Sequence, residues 1–152
     1  MPKVAILLGS DSDKEVMQNC VKYLDWFGIE HEMKVLSAHR TPDITADFVK
    51  KAERNGFVLI IAAAGMAAHL PGFVAANTTL PVIGVPLASS EMQGIDALYS
   101  IVQMPPGTPV ATVAIGAAGA KNAAVLAAEI LAMNDGKLKK RLQEFRKRGS
   151  KI

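Results

Sequence analysis

KVAILLGSDSDKEVMQNCVKYLDWFG, from Lys3 to Gly28, decides how this chain folds. Its first seven residues form an almost unbroken apolar run that closes on Gly9. A run of this kind marks a strand covered on both faces in a parallel sheet, whereas a strand with one wet face alternates. Ser12-Asp13-Lys14-Glu15 then reads as a capping box, with Ser12 at the N-cap and Glu15 three positions on. Val16, Cys20, Leu24 and Phe27 follow at helical spacing, and Gly28 supplies the C-cap. Strand, turn and helix make one βα unit.

The unit recurs. Between Glu30 and Leu36, His31, Met33 and Val35 alternate with Glu30, Glu32 and Lys34, which predicts a strand with one solvated face at a sheet edge. Thr41 as N-cap, Pro42 at the first helical position and Asp43 against the dipole start a second helix, which ends near Asn55-Gly56. Phe57 to Ala64 (FVLIIAAA) is the next buried strand, followed by Gly65 to Gly72 and a short Ala-rich helical stretch. Pro81 to Pro86 reads as a fourth strand, Gly94 to Gln103 as a fourth helix and Val110 to Ile115 as a fifth strand. Lys121 to Met133 is Ala and Leu on nearly every side, so this helix is buried on more than one face, in a large core or a subunit interface. Lys137 to Lys147 continues as a basic amphipathic helix. Alternating β and α elements predict a three-layer α/β/α, doubly wound parallel sheet of flavodoxin-like order 2-1-3-4-5, plus the C-terminal helix. No repeat or linker divides the 152 residues, which read as one domain with a basic helical tail from about residue 136.

Half the residues are apolar but only 5% are aromatic. Such a core is built from aliphatic side chains, and aromatic platforms for single-stranded nucleic acid are disfavoured. One cysteine, Cys20, excludes an internal disulfide and suits a reduced compartment. Met1 to Val4 has no secretion-signal character, and no apolar run reaches the ~20 residues of a membrane helix, so a cytoplasmic protein without membrane partners is expected. The net charge of +3 hides an asymmetry: eight of the seventeen Lys and Arg lie from Lys137 to Lys151, leaving the preceding part acidic. That tail reads as a solvated helix face or subunit contact rather than a nucleic-acid patch.

In doubly wound sheets ligands bind beyond the carboxyl ends of the strands, at the switch between strands one and three. Three loops meet there. Gly9 to Asp13 offers hydroxyls and helix N–H groups: Ser10 and Ser12 suit a phosphate, and Asp13 suits sugar hydroxyls, although Ser12 and Asp13 also serve as plain caps. Ser37 to Thr41 sets His39, which exchanges protons near neutral pH, beside Arg40, which stays charged and grips phosphate bidentately. Gly65 to Gly72 is small except for His69 and Leu70, so a ligand ring can lie close to its backbone. His69 is either a second proton carrier or a loop-orienting residue. The histidines and the cysteine lack metal-ligand spacing, and neither a triphosphate nor a dinucleotide fingerprint is present, so no metal, nucleoside triphosphate or dinucleotide is expected.

Six ordered blocks carry a resemblance: GSDSD (Gly9 to Asp13), SAHRTP (Ser37 to Pro42), AAHLPG (Ala67 to Gly72), LPVIGVP (Leu80 to Pro86), SIVQMP (Ser100 to Pro105) and PVATVAI (Pro109 to Ile115). Together they closely resemble the class I N5-carboxyaminoimidazole ribonucleotide mutases (PurE) of purine biosynthesis. The resemblance implies cofactor-free conversion of N5-carboxyaminoimidazole ribonucleotide to 4-carboxy-5-aminoimidazole ribonucleotide, by decarboxylation and recarboxylation at C4. It implies His39 as the catalytic residue and Ser10, Asp13 and Arg40 as substrate contacts. Ser12, Ser37, Gly65, Ala67, His69 and Leu70 would surround the ring and the migrating carboxylate. It further implies a homo-octamer with sites between subunits. Arg40 stands where enzymes that carboxylate aminoimidazole ribonucleotide directly with CO2 usually have lysine, and so favours the mutase. Met66 and Pro106 replace common glycines, Phe73 a common Met and Ala97 a common Ser. A phosphate- or flavin-binding module is the contrasting reading, but these loops lack flavin-flanking aromatics. A phosphorylation receiver would need an aspartate where Ala63-Ala64-Gly65 stand.

Overall fold

The most continuously apolar segments take the middle of the sheet. In the computed structural model, which describes residues 2–152, five parallel strands pair in the order β2-β1-β3-β4-β5. They are β1 (Lys3–Leu8), β2 (Glu30–Val35), β3 (Phe57–Gly65), β4 (Val82–Leu87) and β5 (Ala111–Thr112). The helices are α1 (Lys14–Phe27), α2 (Pro42–Lys51), α3 (Leu70–Ala76), α4 (Ile95–Val102), α5 (Gly116–Leu131) and α6 (Gly136–Lys147). The expected doubly wound, three-layer fold is therefore present.

Strand residues alternate between two cores, as a period of two requires. Val4, Ile6, Leu8, Leu59, Ile61, Ile83 and Val85 pack with α1 and α5, and Leu138 and Phe145 of α6 close that side. Ala5, Leu7, Ile60 and Ala62 pack with Val49 of α2, Val74 of α3, and Ala97 and Ile101 of α4. Cys20 lies in the first core, where burial pushes its thiol up to about 12 and leaves it a small inert hydrophobe.

Four local expectations are corrected. The capping box lies two residues earlier than Ser12/Glu15: the Ser12 amide donates to Ser10 Oγ (3.4 Å) and the Ser10 amide donates to Asp13 Oδ2 (3.1 Å). Gly9 still extends the sheet by donating to the Ala63 carbonyl (3.2 Å), so the chain turns at once, through a single 3₁₀ turn at Asp11–Asp13. β2 is an edge strand, but its polar side is half covered, with Glu32 held between Lys3 (2.5 Å) and Lys34 (2.6 Å) and Lys34 over the Phe48 ring. The hydrogen bond from Lys3 is the largest influence keeping the Glu32 carboxyl below its ordinary value.

The fifth strand shrinks from Val110–Ile115 to Ala111–Thr112, because only Ile83 and Gly84 of β4 lie alongside before the chain leaves the edge. α5 starts at Gly116 rather than Lys121. Its small first turn, Gly116-Ala117-Ala118-Gly119, lets the helix begin directly against the Ala114 carbonyl. α5 lies among the sheet, α1 and α6, which accounts for apolar residues on nearly every side. The basic tail is likewise docked: Arg141 donates to the Trp26 carbonyl (3.0 Å), and Arg146 pairs with Glu129 (2.6 Å).

Candidate active site

Four loops at the carboxyl ends of β1 to β4 enclose a cleft of about 460 Å³. The first carries Ser10, Ser12 and Asp13. The two hydroxyls are hydrogen-bonded to each other (3.0 Å), while Asp13 is buried, and burial raises its pKa against the opposing pull of the Ser10 amide.

The second loop is a tight knot of self-bonding. The Ser37 amide donates to Thr41 Oγ1 (3.2 Å), the Arg40 amide to Ser37 Oγ (3.0 Å), and the Thr41 amide to the Ser37 carbonyl (3.1 Å). Thr41 thus stands at the N-cap of α2, but its hydroxyl fastens the loop instead of capping the helix. Fully buried Thr45 ties the knot to the core side by donating to the Ser37 (3.0 Å) and Thr41 (2.7 Å) carbonyls. His39 and Arg40 are held at the tip, both lining the cleft. Arg40 joins none of the ion pairs among the described residues, so its guanidinium is available to an anion.

The third loop brings the second histidine across. His39 Nε2 and His69 Nδ1 are hydrogen-bonded, with ring planes at 80° and centroids 4.6 Å apart. One ring must donate and the other accept, so the tautomers of the two histidines are coupled inside the cleft. Gly65, Ala67 and Leu70 line the same space, with Leu70 buried. Met66 has φ 55°, in the left-handed region where a side chain costs about 1–2 kcal/mol. That conformation explains why glycine is favoured at this position; the Met66 side chain is 60% exposed. His31 lies apart, its Nδ1–H donating to the Ile29 carbonyl (2.9 Å).

All ten residues singled out from the sequence line this one cleft. Ser89, from the loop after β4, lines it too and was missed. Its signal was present, a hydroxyl two residues past the end of a buried strand, but the switch-point rule draws attention to strands one and three alone. Among the described residues no group of three or more His, Cys, Asp or Glu is placed to hold a metal ion.

A family model described as AIR carboxylase matches residues 3–151. The N5-carboxyaminoimidazole ribonucleotide mutase of Pyrococcus abyssi is 55% identical over 146 residues, covering 96% of this chain and 83% of that one. The mutase of the same name from Escherichia coli K12 is 54% identical over 145 residues, covering 95% and 86%. The crystal structure of Treponema denticola PurE superposes with a TM-score of 0.89 at 32% identity, covering 99% of this chain and 92% of that one. Among the described residues no helix is long and apolar enough to cross a membrane. With the family model spanning nearly the whole chain and more than half the residues shared with two mutases, this chain belongs to the AIR carboxylase family.

Proposed function

We propose that the chain is an N5-carboxyaminoimidazole ribonucleotide mutase of purine biosynthesis, a single catalytic domain over residues 1–152 in which α6 forms the basic tail. The observation that carries this reading is the convergence of the hydrogen-bonded His39–His69 pair and Arg40 on one cleft of small residues. The substrate is a ribonucleotide monophosphate. Arg40, Ser10 and Ser12 bind its phosphate, Asp13 accepts from the ribose hydroxyls, and the imidazole lies against Gly65 and Ala67 with Ser37, His69 and Leu70 around it.

Proton balance calls for one group that gives and takes a proton, and the family resemblance puts His39 in that role. Breaking the N–CO2 bond puts a proton on the exocyclic nitrogen; forming the C4–CO2 bond removes one from C4. His39 gives the first and takes the second, returning to its starting state, and no electrons change hands. The intermediate is CO2 beside aminoimidazole ribonucleotide, whose C4 is nucleophilic like an enamine. Holding the two together replaces a bimolecular encounter with an oriented one.

Asp13→Asn separates binding from folding. The amide replaces a charged acceptor, so KM rises about tenfold or more. Folding responds with the opposite sign. Because the folded-state pKa of Asp13 is raised above its ordinary 3.8, the wild type loses stability as pH rises from that value through the folded pKa. The variant has no such loss. Urea unfolding at pH 3.5 and pH 7 should therefore find Asp13→Asn gaining relative to wild type at the higher pH.

We further infer a cytoplasmic homo-octamer with active sites between subunits. Met92, Ile95, Tyr99 and Val102 support the contact, an exposed apolar stripe along α4 and the loop before it. The function is tested by supplying each ribonucleotide with and without bicarbonate and following the C4 carboxylate. The expected result is product from the N-carboxylated substrate without bicarbonate. Turnover of aminoimidazole ribonucleotide alone, at high bicarbonate, would assign direct carboxylation instead, and no turnover a binding module.

A further inference from the structure

We propose that Ser89 is a substrate-contacting residue of this reaction, its hydroxyl donating a hydrogen bond to the migrating carboxylate. The inference rests on the mutase reading. Ser89 follows β4, and β4 lies three strand spacings from β2, about 14 Å across the sheet. Arg40 and Ser89 therefore stand towards opposite ends of the row of loops, and a nucleotide whose phosphate meets Arg40 points its base towards Ser89.

Ser89 also lines an adjoining cleft of about 380 Å³, and the two spaces share Ser12, Asp13 and Ser89. Its side chain is seated over Gly65: a Cβ built on Gly65 would fall 1.7 Å from Ser89 Oγ and 2.9 Å from Ser89 Cβ. Only glycine leaves that room, so the Gly65–Ser89 approach is a built feature of the cleft floor.

The loop is anchored beside this residue and not through it. Ser90 Oγ donates to Asp96 Oδ2 (2.7 Å) in the first turn of α4 and accepts from the Met92 amide (3.1 Å). The other hydroxyls of the cleft have partners: Ser10 and Ser12 bond each other, and Ser37 accepts from Arg40. Ser89 has no partner among the described residues and is exposed to the cleft. It is a positioned, unused donor.

A neutral hydroxyl suits this place better than a cation. The carboxylate loses its charge on becoming CO2 and regains it at C4, so a cation would hold the charged ground state and slow the first step. A hydroxyl rotates to follow the oxygens as they move from nitrogen to carbon.

The test compares wild type, Ser89→Ala and Ser89→Thr by steady-state kinetics on the N-carboxylated ribonucleotide and by calorimetric binding of aminoimidazole ribonucleotide, which lacks the carboxylate. Ser89→Ala should lower kcat/KM about 10- to 100-fold. Its affinity for the decarboxylated nucleotide should stay within about twofold, and Ser89→Thr should recover part of the loss. A fully active Ser89→Ala overturns the contact, as does an equal loss of affinity for both nucleotides, which would make Ser89 a shaper of the cleft. Wild type that turns over neither nucleotide overturns the mutase reading itself, whereas active wild type beside fully active Ser89→Ala overturns the Ser89 contact alone.

Discussion

His39→Asn lowers kcat by about 10²- to 10⁴-fold, the range general acid–base catalysis supplies, while substrate affinity changes little. Asparagine is planar and keeps a hydrogen-bonding group near His69, so the cleft stays filled. What it cannot do is give a proton to the exocyclic nitrogen as CO2 leaves and take one back from C4. Activity does not fall to the uncatalysed level. Confinement of CO2 beside C4, which can lower a barrier by roughly 7–11 kcal/mol, depends on the surrounding walls and survives the substitution. Single-turnover kinetics separates chemistry from release, and a variant with wild-type kcat would remove His39 from the proton path.

Gly119→Ala carries the largest expected loss of stability. Helix propensity alone predicts a gain of up to about 1 kcal/mol, since alanine is the best helix former and Gly119 lies inside α5. Packing predicts the reverse, because the new Cβ would fall 1.6 Å from the Ala114 carbonyl oxygen and 2.6 Å from its carbon. Backbone cannot swing aside as a flexible side chain can. α5 must move away from the segment that leads into it, loosening Ala120, Ala123, Ala124 and Ala127, all fully buried. Overpacking of this kind costs about 1–3 kcal/mol or more. That is a sizeable share of the ~5–15 kcal/mol that stabilises a typical domain. Urea unfolding should show a lower midpoint with an unchanged slope. Gly136→Ala is the control: nothing lies within 4 Å of a Cβ there, so the change should be neutral or stabilising.

Gly119 shows where reading along a chain stops. Gly-Ala-Ala-Gly carries no periodicity, so the pattern starts α5 only at Lys121; the helix in fact begins at Gly116, with Gly119 close against the carbonyl of Ala114. The capping box is a similar case. Ser10/Asp13 and Ser12/Glu15 are both plausible by spacing, and the choice turns on Gly9 being held to Ala63 of β3. The pattern overextends β5 because Val110 to Ile115 is apolar but for Thr112, yet an edge strand lasts only as long as its single neighbour runs beside it.

The amino-acid sequence alone determined the strands and helices, their order in the sheet, and the ten cleft residues. Burial on two faces writes continuous apolar runs, and doubly wound connectivity then leaves one place for a ligand. Tertiary structure decided what depends on residues far apart meeting: the hydrogen bond between His39 and His69, thirty positions apart, and the seating of Ser89 over Gly65. Periodicity reports which side of an element faces the core. It carries no information on which side chains of different loops touch, and that is set by the spacing and twist of the strands that present them.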